Sequence, residues 1–209
     1  PRAGNLGGGG FMLIYIKREN KIYALDYREK APLNATRDMF LDEKGRADNN
    51  KSRFSILSTG VPGTVAGLET AHQTFGSIAR KELLKDAIQY AKNGFIIDKE
   101  QEKSLKRVHQ RFLTHKSTKK VFIKKDKSQF KKGDTLIQKD LAKTLIRIQK
   151  YGQADFYNGK TAKKITSFMK KNNGLITMAD LASYKAIWRT PISGTYKDYH
   201  VYSMPPPSS

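Results

Sequence analysis

The sequence predicts an α+β fold, rich in helix, with its strands gathered near the two ends of the chain. Two apolar, β-branched and aromatic runs at 11–16 and 22–27 flank a polar stretch containing Asn20, the pattern of a β-hairpin. Thr195-Tyr196 and His200-Val201-Tyr202, set around Lys197-Asp198, give a second hairpin pattern near the other end. Between them apolar residues recur at helical spacing, and Gly76, Gly94, Gly152 and Gly174 stand where the periodic runs stop.

Phe11-Met12-Leu13-Ile14-Tyr15-Ile16 is apolar without alternation, so both faces of that strand are expected to be covered, as in an inner layer of a sandwich. Arg28 and Glu29 follow the second strand directly, a position from which side chains commonly meet ligands. Residues 41–52 show no apolar periodicity and read as an exposed loop. Past Val61, Pro62 is well placed to begin a helix, with Val65, Leu68, Ala71 and His72 recurring along it and Gly76 at its end. A second helix is expected over 81–92, with Leu83, Leu84, Ala87, Ile88 and Ala91 on one face, and a third, more charged one over 98–112. A short strand is expected at 121–124. Helical period returns over 138–151 through Leu141, Leu145, Ile146 and Ile148. It returns again over 160–171, with Ala162, Ile165, Phe168 and Met169 inward. Thr177, three residues before Asp180, has the form of a helix N-cap with a carboxylate in the first turn, opening a short helix to 184. No internal repeat and no linker divides the chain, so residues 1–209 are read as one domain.

A chain of 209 residues suffices for one sizeable core or for one large piece of a bigger one. The absence of cysteine excludes disulfides, thiolate metal sites and a cysteine nucleophile within these residues. The longest apolar run, 11–16, is far too short to span a membrane. The chain opens on Pro1 with no charged and then apolar leader, so any signal peptide is expected upstream, and both ends read as cuts through a larger protein. Forty Lys and Arg against nineteen Asp and Glu give a net charge of +21, which raises the question of a polyanionic partner. The densest cluster is Lys116, Lys119, Lys120, Lys124, Lys125, Lys127, Lys131 and Lys132, opposed only by Asp126 and Asp134. It lacks the stacking aromatics of an RNA-binding sheet. A solvated surface is the stronger reading, and a basic module that binds polyanions or an anionic surface without catalysis is the alternative.

Several motifs carry little chemistry taken singly. Gly7 to Gly10 is followed by a strand and by no Gly-Lys-Ser/Thr, so it is a flexible turn and not a phosphate-binding loop. His72, His109, His115 and His200 are scattered without metal-ligand spacing, and no Gly-x-Ser-x-Gly elbow occurs. Gly60-Val61-Pro62-Gly63-Thr64 reads as a turn into a helix, with a direct carboxylate-binding role at the helix start as the lesser reading. Pro205-Pro206-Pro207-Ser208-Ser209 has the form of a polyproline ligand. Arg28 is the sharpest candidate, because guanidinium presents a planar fork of donors that matches a carboxylate with two parallel bonds. A structural ion pair with Asp26, Glu29 or Asp38 is the competing reading of the residue alone.

Four segments acquire meaning from their order: residues 5–13 (Asn-Leu-Gly-Gly-Gly-Gly-Phe-Met-Leu), residues 25–32 (Leu-Asp-Tyr-Arg-Glu-Lys-Ala-Pro), residues 60–67 (Gly-Val-Pro-Gly-Thr-Val-Ala-Gly) and residues 202–209 (Tyr-Ser-Met-Pro-Pro-Pro-Ser-Ser). Together they resemble the large-subunit part of a bacterial gamma-glutamyltransferase (glutathione hydrolase), and the likeness runs from the first residues to the last. It implies a helix-rich part of an N-terminal-nucleophile hydrolase, an αββα sandwich incomplete without the small subunit. Enzymes of that family attack with the N-terminal threonine of a small subunit released by self-cleavage. The nucleophile is therefore expected outside this chain, which alone would be inactive. The resemblance makes Arg28 the ligand of the α-carboxylate of the glutamyl substrate, with Tyr27 and Lys30 as ordinary variants beside it. It turns the proline-rich segment into an extended piece of the enzyme, and residues 177–184 and 190–194 into framework. It implies glutathione and other γ-glutamyl compounds as substrates, the small subunit of the same precursor as heterodimer partner, and no metal, organic cofactor or nucleic acid. It also implies export, to the periplasm or beyond.

Overall fold

Strand pairing at the start of the chain follows the apolar runs. The computed structural model describes residues 5–208, so Pro1 and Ser209 lie outside it. Its contacts divide it into two units, one formed by residues 5–77 with 152–208 and the other by residues 78–151. In the first unit β1 (Phe11–Ile16) and β2 (Lys21–Asp26) pair antiparallel, with Phe11 opposite Asp26 and Ile16 opposite Lys21. A single 3-10 turn joins them and ends at Asn20, whose φ of 46° is tolerated by an Asn side chain.

α1 (Asn49–Phe54) occupies the end of the stretch read as loop, because Asp48 caps it by accepting from the amides of Asn50 and Lys51. α2 (Thr64–Phe75) ends at Gly76 as expected and lies on the sheet, its Phe75 ring against Tyr23 and Trp188. Its buried face is rotated from the predicted one: Val65, Ala66 and Gly67 are inward, while Leu68 is 49% exposed. Gly67 explains the rotation, since a Cβ there would collide with the ring of Tyr27. The face of β1 that bears Met12, Ile14 and Ile16 is the one on which Tyr23, opposite Ile14, meets Phe75 of α2. On the other face Leu13 and Tyr15 are 40% and 56% exposed, so the expectation that both faces are covered is not met among the described residues.

The unit 78–151 is mostly helical. The helix expected over 81–92 is two, α3 (Arg80–Leu83) and α4 (Lys85–Asn93), parted at Leu84. After Gly94 a two-residue strand, β3 (Phe95–Ile96), leads to α5 (Lys99–Thr114), which opens on a reciprocal cap between Asp98 and Gln101. Where a strand was expected at 121–124 there is α6 (Lys116–Phe122), with only Ile123 beyond it buried and extended. The apolar triplet that suggested a strand instead closes a helical turn, and Phe122 stacks on Phe112 of α5 at 5.0 Å. Tertiary packing thus overrides the local β preference of Val and Phe. β4 (Thr135–Leu136) pairs with β3, and α7 (Lys139–Tyr151) packs on α4 with Ala142, Leu145 and Ile148 buried.

The chain then returns to the first unit through α8 (Gln153–Tyr157), which the periodicity did not signal, and α9 (Lys160–Lys171). Ala162 and Met169 of α9 are buried as expected, whereas Phe168 is exposed. α10 (Met178–Ser183) carries the predicted cap, the Asp180 amide donating to Thr177 Oγ1 and the Thr177 amide to Asp180 Oδ2. β5 (Ile187–Arg189), unread in the sequence, pairs antiparallel with β2 and makes it the central strand of a β1-β2-β5 sheet. The closing hairpin is present as β6 (Ile192–Tyr196) and β7 (Tyr199–Ser203), and every residue in both strands is exposed. Among the described residues no helix is long and apolar enough to cross a membrane.

Candidate functional site

The four motifs singled out in the sequence meet around residues 27–30, with Arg28 among them. Just beyond the β1–β2 ladder, Gly10 and Tyr27 exchange backbone bonds at 3.2 and 3.0 Å, so the glycine run extends the strand pairing. Lys30 and Val61 exchange another pair at 3.2 and 2.8 Å, which fastens the segment after Arg28 to the second glycine motif. The carbonyl of Gly8 accepts from the amides of both Gly63 and Thr64, at 2.8 and 3.0 Å. The amide of Ala66 donates to Tyr157 Oη at 3.2 Å. Three amides at the start of α2 are therefore bound within the protein, which favours the framework reading of residues 60–64 over a carboxylate site. Gly63 is required by this approach, for a Cβ would strike the Tyr27 carbonyl and the Tyr184 hydroxyl.

Arg28 itself is exposed. Its Nη1 donates to the carbonyl of Pro207 at 2.6 Å, and its guanidinium lies 6.0 Å from the centre of the Phe11 ring. The proline-rich segment thus contacts the arginine from 179 residues away in sequence. The ion pairs considered for Arg28 do not form among the described residues: Asp26 pairs with Arg189 at 2.7 Å, and Asp38 lies 3.8 Å from Arg37. The remaining N–H groups of the fork have no protein partner there, leaving one planar edge able to take a carboxylate.

The main chain of Arg28 is held on both sides. Its amide donates to Asp26 Oδ1 at 3.0 Å, and its carbonyl accepts from Tyr184 Oη at 2.8 Å. Tyr184 stacks on Tyr157 at 5.6 Å with the rings 8° from parallel, and Tyr157 Oη donates to the Pro62 carbonyl at 2.8 Å. Burial pushes the Tyr184 phenol well above its ordinary range, with Tyr157, Asp26 and Glu29 adding to the effect, so it stays a protonated donor. Lys30 Nζ donates to the Lys185 carbonyl at 3.3 Å and lies over the Tyr184 ring. Tyr184 and Arg189 escaped the sequence reading as site residues, and Asp26 entered it only as a possible ion-pair partner of Arg28. One signal was available: Asp26 is a carboxylate following the apolar run 22–25, and a buried carboxylate requires a partner.

Among the described residues no group of three or more His, Cys, Asp or Glu side chains is gathered as metal ligands. The basic cluster sits in the unit 78–151. There Lys124 pairs with Asp134 at 2.5 Å and Lys120 with Asp140 at 3.6 Å, while Lys116, Lys119, Lys125 and Lys127 are exposed and form no ion pair among the described residues.

Comparison with known proteins adds a family to this geometry. The family model described as gamma-glutamyltranspeptidase matches residues 1–209. The glutathione hydrolase proenzyme of Escherichia coli (strain K12) is 49% identical over 209 residues, covering 100% of this chain and 36% of that protein. The chain therefore spans about a third of the length of the curated relatives it matches. The crystal structure of Helicobacter pylori gamma-glutamyltranspeptidase superposes with a TM-score of 0.96 at 47% identity, over 99% of this chain and 59% of that one. Cephalosporin acylase from Bacillus halodurans superposes at 0.84 with 25% identity, over 96% of this chain and 38% of that one. The fold is that of the N-terminal-nucleophile hydrolases, α+β as the sequence predicted.

Proposed function

The chain belongs to the gamma-glutamyltranspeptidase family, and we propose that it supplies the carboxylate-binding side of a gamma-glutamyltransferase or glutathione hydrolase, with Arg28 holding the α-carboxylate of the γ-glutamyl donor. The observation that carries this reading is the open edge of the Arg28 fork at the point where all four motifs meet. A donor held by that carboxylate has its γ-amide displaced along the glutamyl chain, toward the part of the protein that carries the nucleophile. There a threonine hydroxyl attacks the amide carbon, its proton passing to the α-amino group of the same residue. The C–N bond breaks, the amine leaves with a proton, and a γ-glutamyl ester remains. Water, or the amine of an amino acid or peptide, then cleaves that ester and regenerates the threonine.

Arg28 contributes orientation: binding energy gathered at the carboxylate fixes where the distant amide lies. The face of the sheet that bears Leu13 and Tyr15, and the exposed hairpin β6–β7, suit packing against the remainder of the protein. That remainder is proposed to be the small subunit of a heterodimer, in an exported, periplasmic or secreted, enzyme. Glutathione and related γ-glutamyl compounds are the proposed donors.

The test compares two anilides in the full-length, processed enzyme, one γ-glutamyl and one lacking the α-carboxylate. The wild type should prefer the first by 100-fold or more in kcat/KM, and Arg28→Ala should remove most of that preference. A variant that discriminates as well as the wild type would rule out Arg28 as the carboxylate ligand.

A further inference from the structure

We propose that Asp26 and Tyr184 are positioning residues for Arg28, clamping the peptide groups on either side of it so that the guanidinium meets the substrate carboxylate in one orientation. The inference rests on the reading of Arg28 as that carboxylate's ligand. An exposed arginine at the end of a strand has many rotamers, and its use as a fork depends on a fixed backbone beneath it. Two bonds provide that base. The Asp26 carboxylate takes the Arg28 amide, and the Tyr184 hydroxyl gives to the Arg28 carbonyl, so the backbone torsions on both sides of one α-carbon are restrained.

Each clamp is itself held. Asp26 is buried, and its second oxygen accepts from Arg189 Nε at 2.7 Å. Arg189 stands opposite Ala24 in the β2–β5 register, two residues from Asp26, and so reaches its partner along the diagonal of the pair. The Tyr184 ring is stacked on Tyr157, and the lack of a Cβ at Gly63 leaves room for its hydroxyl. Residues 184–189 thus form one strap across the end of β2, and the side-chain hydrogen bonds that Tyr184 and Arg189 make from it end on Arg28 and on the carboxylate that holds Arg28. A strap serving only to pair β5 with β2 would need neither the Tyr184 hydroxyl nor the bond from Arg189 to Asp26.

The experiment uses the full-length, processed enzyme with Tyr184→Phe, Asp26→Asn, Arg28→Lys and the two double variants that contain Arg28→Lys. Tyr184→Phe removes one neutral hydrogen bond from a packed ring and should raise KM for a γ-glutamyl anilide about 3- to 10-fold. Asp26→Asn places an amide where one of its two donors expects an oxygen and should raise KM about 10- to 100-fold. Both should leave an anilide lacking the α-carboxylate within about twofold of wild type, and neither should add its full effect to Arg28→Lys. Equal losses on the two anilides, or full additivity with Arg28→Lys, would overturn the proposal and leave a merely structural strap. If Asp26→Asn does not fold, Tyr184→Phe alone decides between these outcomes. Wild-type kinetics in Arg28→Lys would instead bring down the carboxylate reading itself, and the positioning proposal with it.

Discussion

Replacing Arg28 with lysine in the full-length enzyme separates charge from geometry. In the structure one arm of the fork, Nη1, is already held by the Pro207 carbonyl at 2.6 Å, and the opposite edge remains for a ligand. Arginine can therefore keep its tether and still give a carboxylate two parallel bonds. A lysine ammonium is a single point. It must take its position from either Pro207 or the carboxylate, and it gives up the planar contact over Phe11. The loss is one or two charge-assisted bonds, about 2–4 kcal/mol, or about 30- to 1000-fold in kcat/KM. Initial rates with a γ-glutamyl anilide measure it. A rise in KM alone means that the arginine binds ground state and transition state equally, and a parallel fall in kcat means that it also sets the geometry of attack. On the proposed function, self-cleavage of the precursor needs no glutamate and should proceed normally, which separates a site defect from a folding defect. A purified, fully processed Arg28→Lys enzyme with wild-type kinetics would refute the reasoning.

Three further outcomes are expected. Changing Lys116, Lys119, Lys125 and Lys127 to glutamine should leave γ-glutamyl turnover within about threefold, because exposed charges are screened over roughly 10 Å; a large loss, or tight salt-sensitive DNA binding by the unmodified enzyme, would favour the polyanion reading. Residues 1–209 produced alone should show no γ-glutamyl turnover and should bind an apolar dye through the exposed hairpin β6–β7, whereas turnover that copurifies with the chain would contradict the assignment of the nucleophile elsewhere. Burial raises the Asp180 carboxyl, but bonds from the Thr177 hydroxyl and amide and the Leu33 amide outweigh it and hold it below its ordinary 3.8. Its ionised form therefore adds stability above that value and loses it as the pH falls through the folded one. Asp180→Ala should cost about 2–3 kcal/mol in urea unfolding at neutral pH, and distinctly less below pH 3.8; a penalty unchanged by pH would count against this account.

What could be read from the sequence follows from how local each determinant is. The β1–β2 hairpin, the cap at Thr177 and the helix stops at Gly76, Gly94 and Gly152 depend on neighbouring residues, and they stand where they were expected. Several of the failures involve partners outside the local run of sequence. Val121 and Phe122 prefer strands, yet Phe122 completes a helical turn because Phe112 is there to receive it. β3, β4 and β5 are two or three residues long, too short to show a period, and exist only because each finds a partner strand. Leu68 points outward because Tyr27, not the periodicity of α2, decides which side of that helix faces the sheet.

The candidate site divides along the same line. Arg28 stood out in the sequence because guanidinium chemistry and the surrounding motif are both local. The residues that hold it are not: Tyr184 and Arg189 lie 156 and 161 positions further along, and nothing near them marks them as partners of β2. Asp26 is the one link visible from both sides. Its carboxylate follows the apolar run 22–25, two residues before the arginine, and once β5 is paired, the side chain that compensates it is fixed by register. The charge on Arg189 is therefore required twice over, because a buried Asp26 left unpaired would be costly and would no longer hold the Arg28 amide in place. Arginine, with its fixed planar donors, suits that diagonal reach better than lysine. The geometry that presents one arginine to solvent thus depends on a second arginine that is only a third exposed.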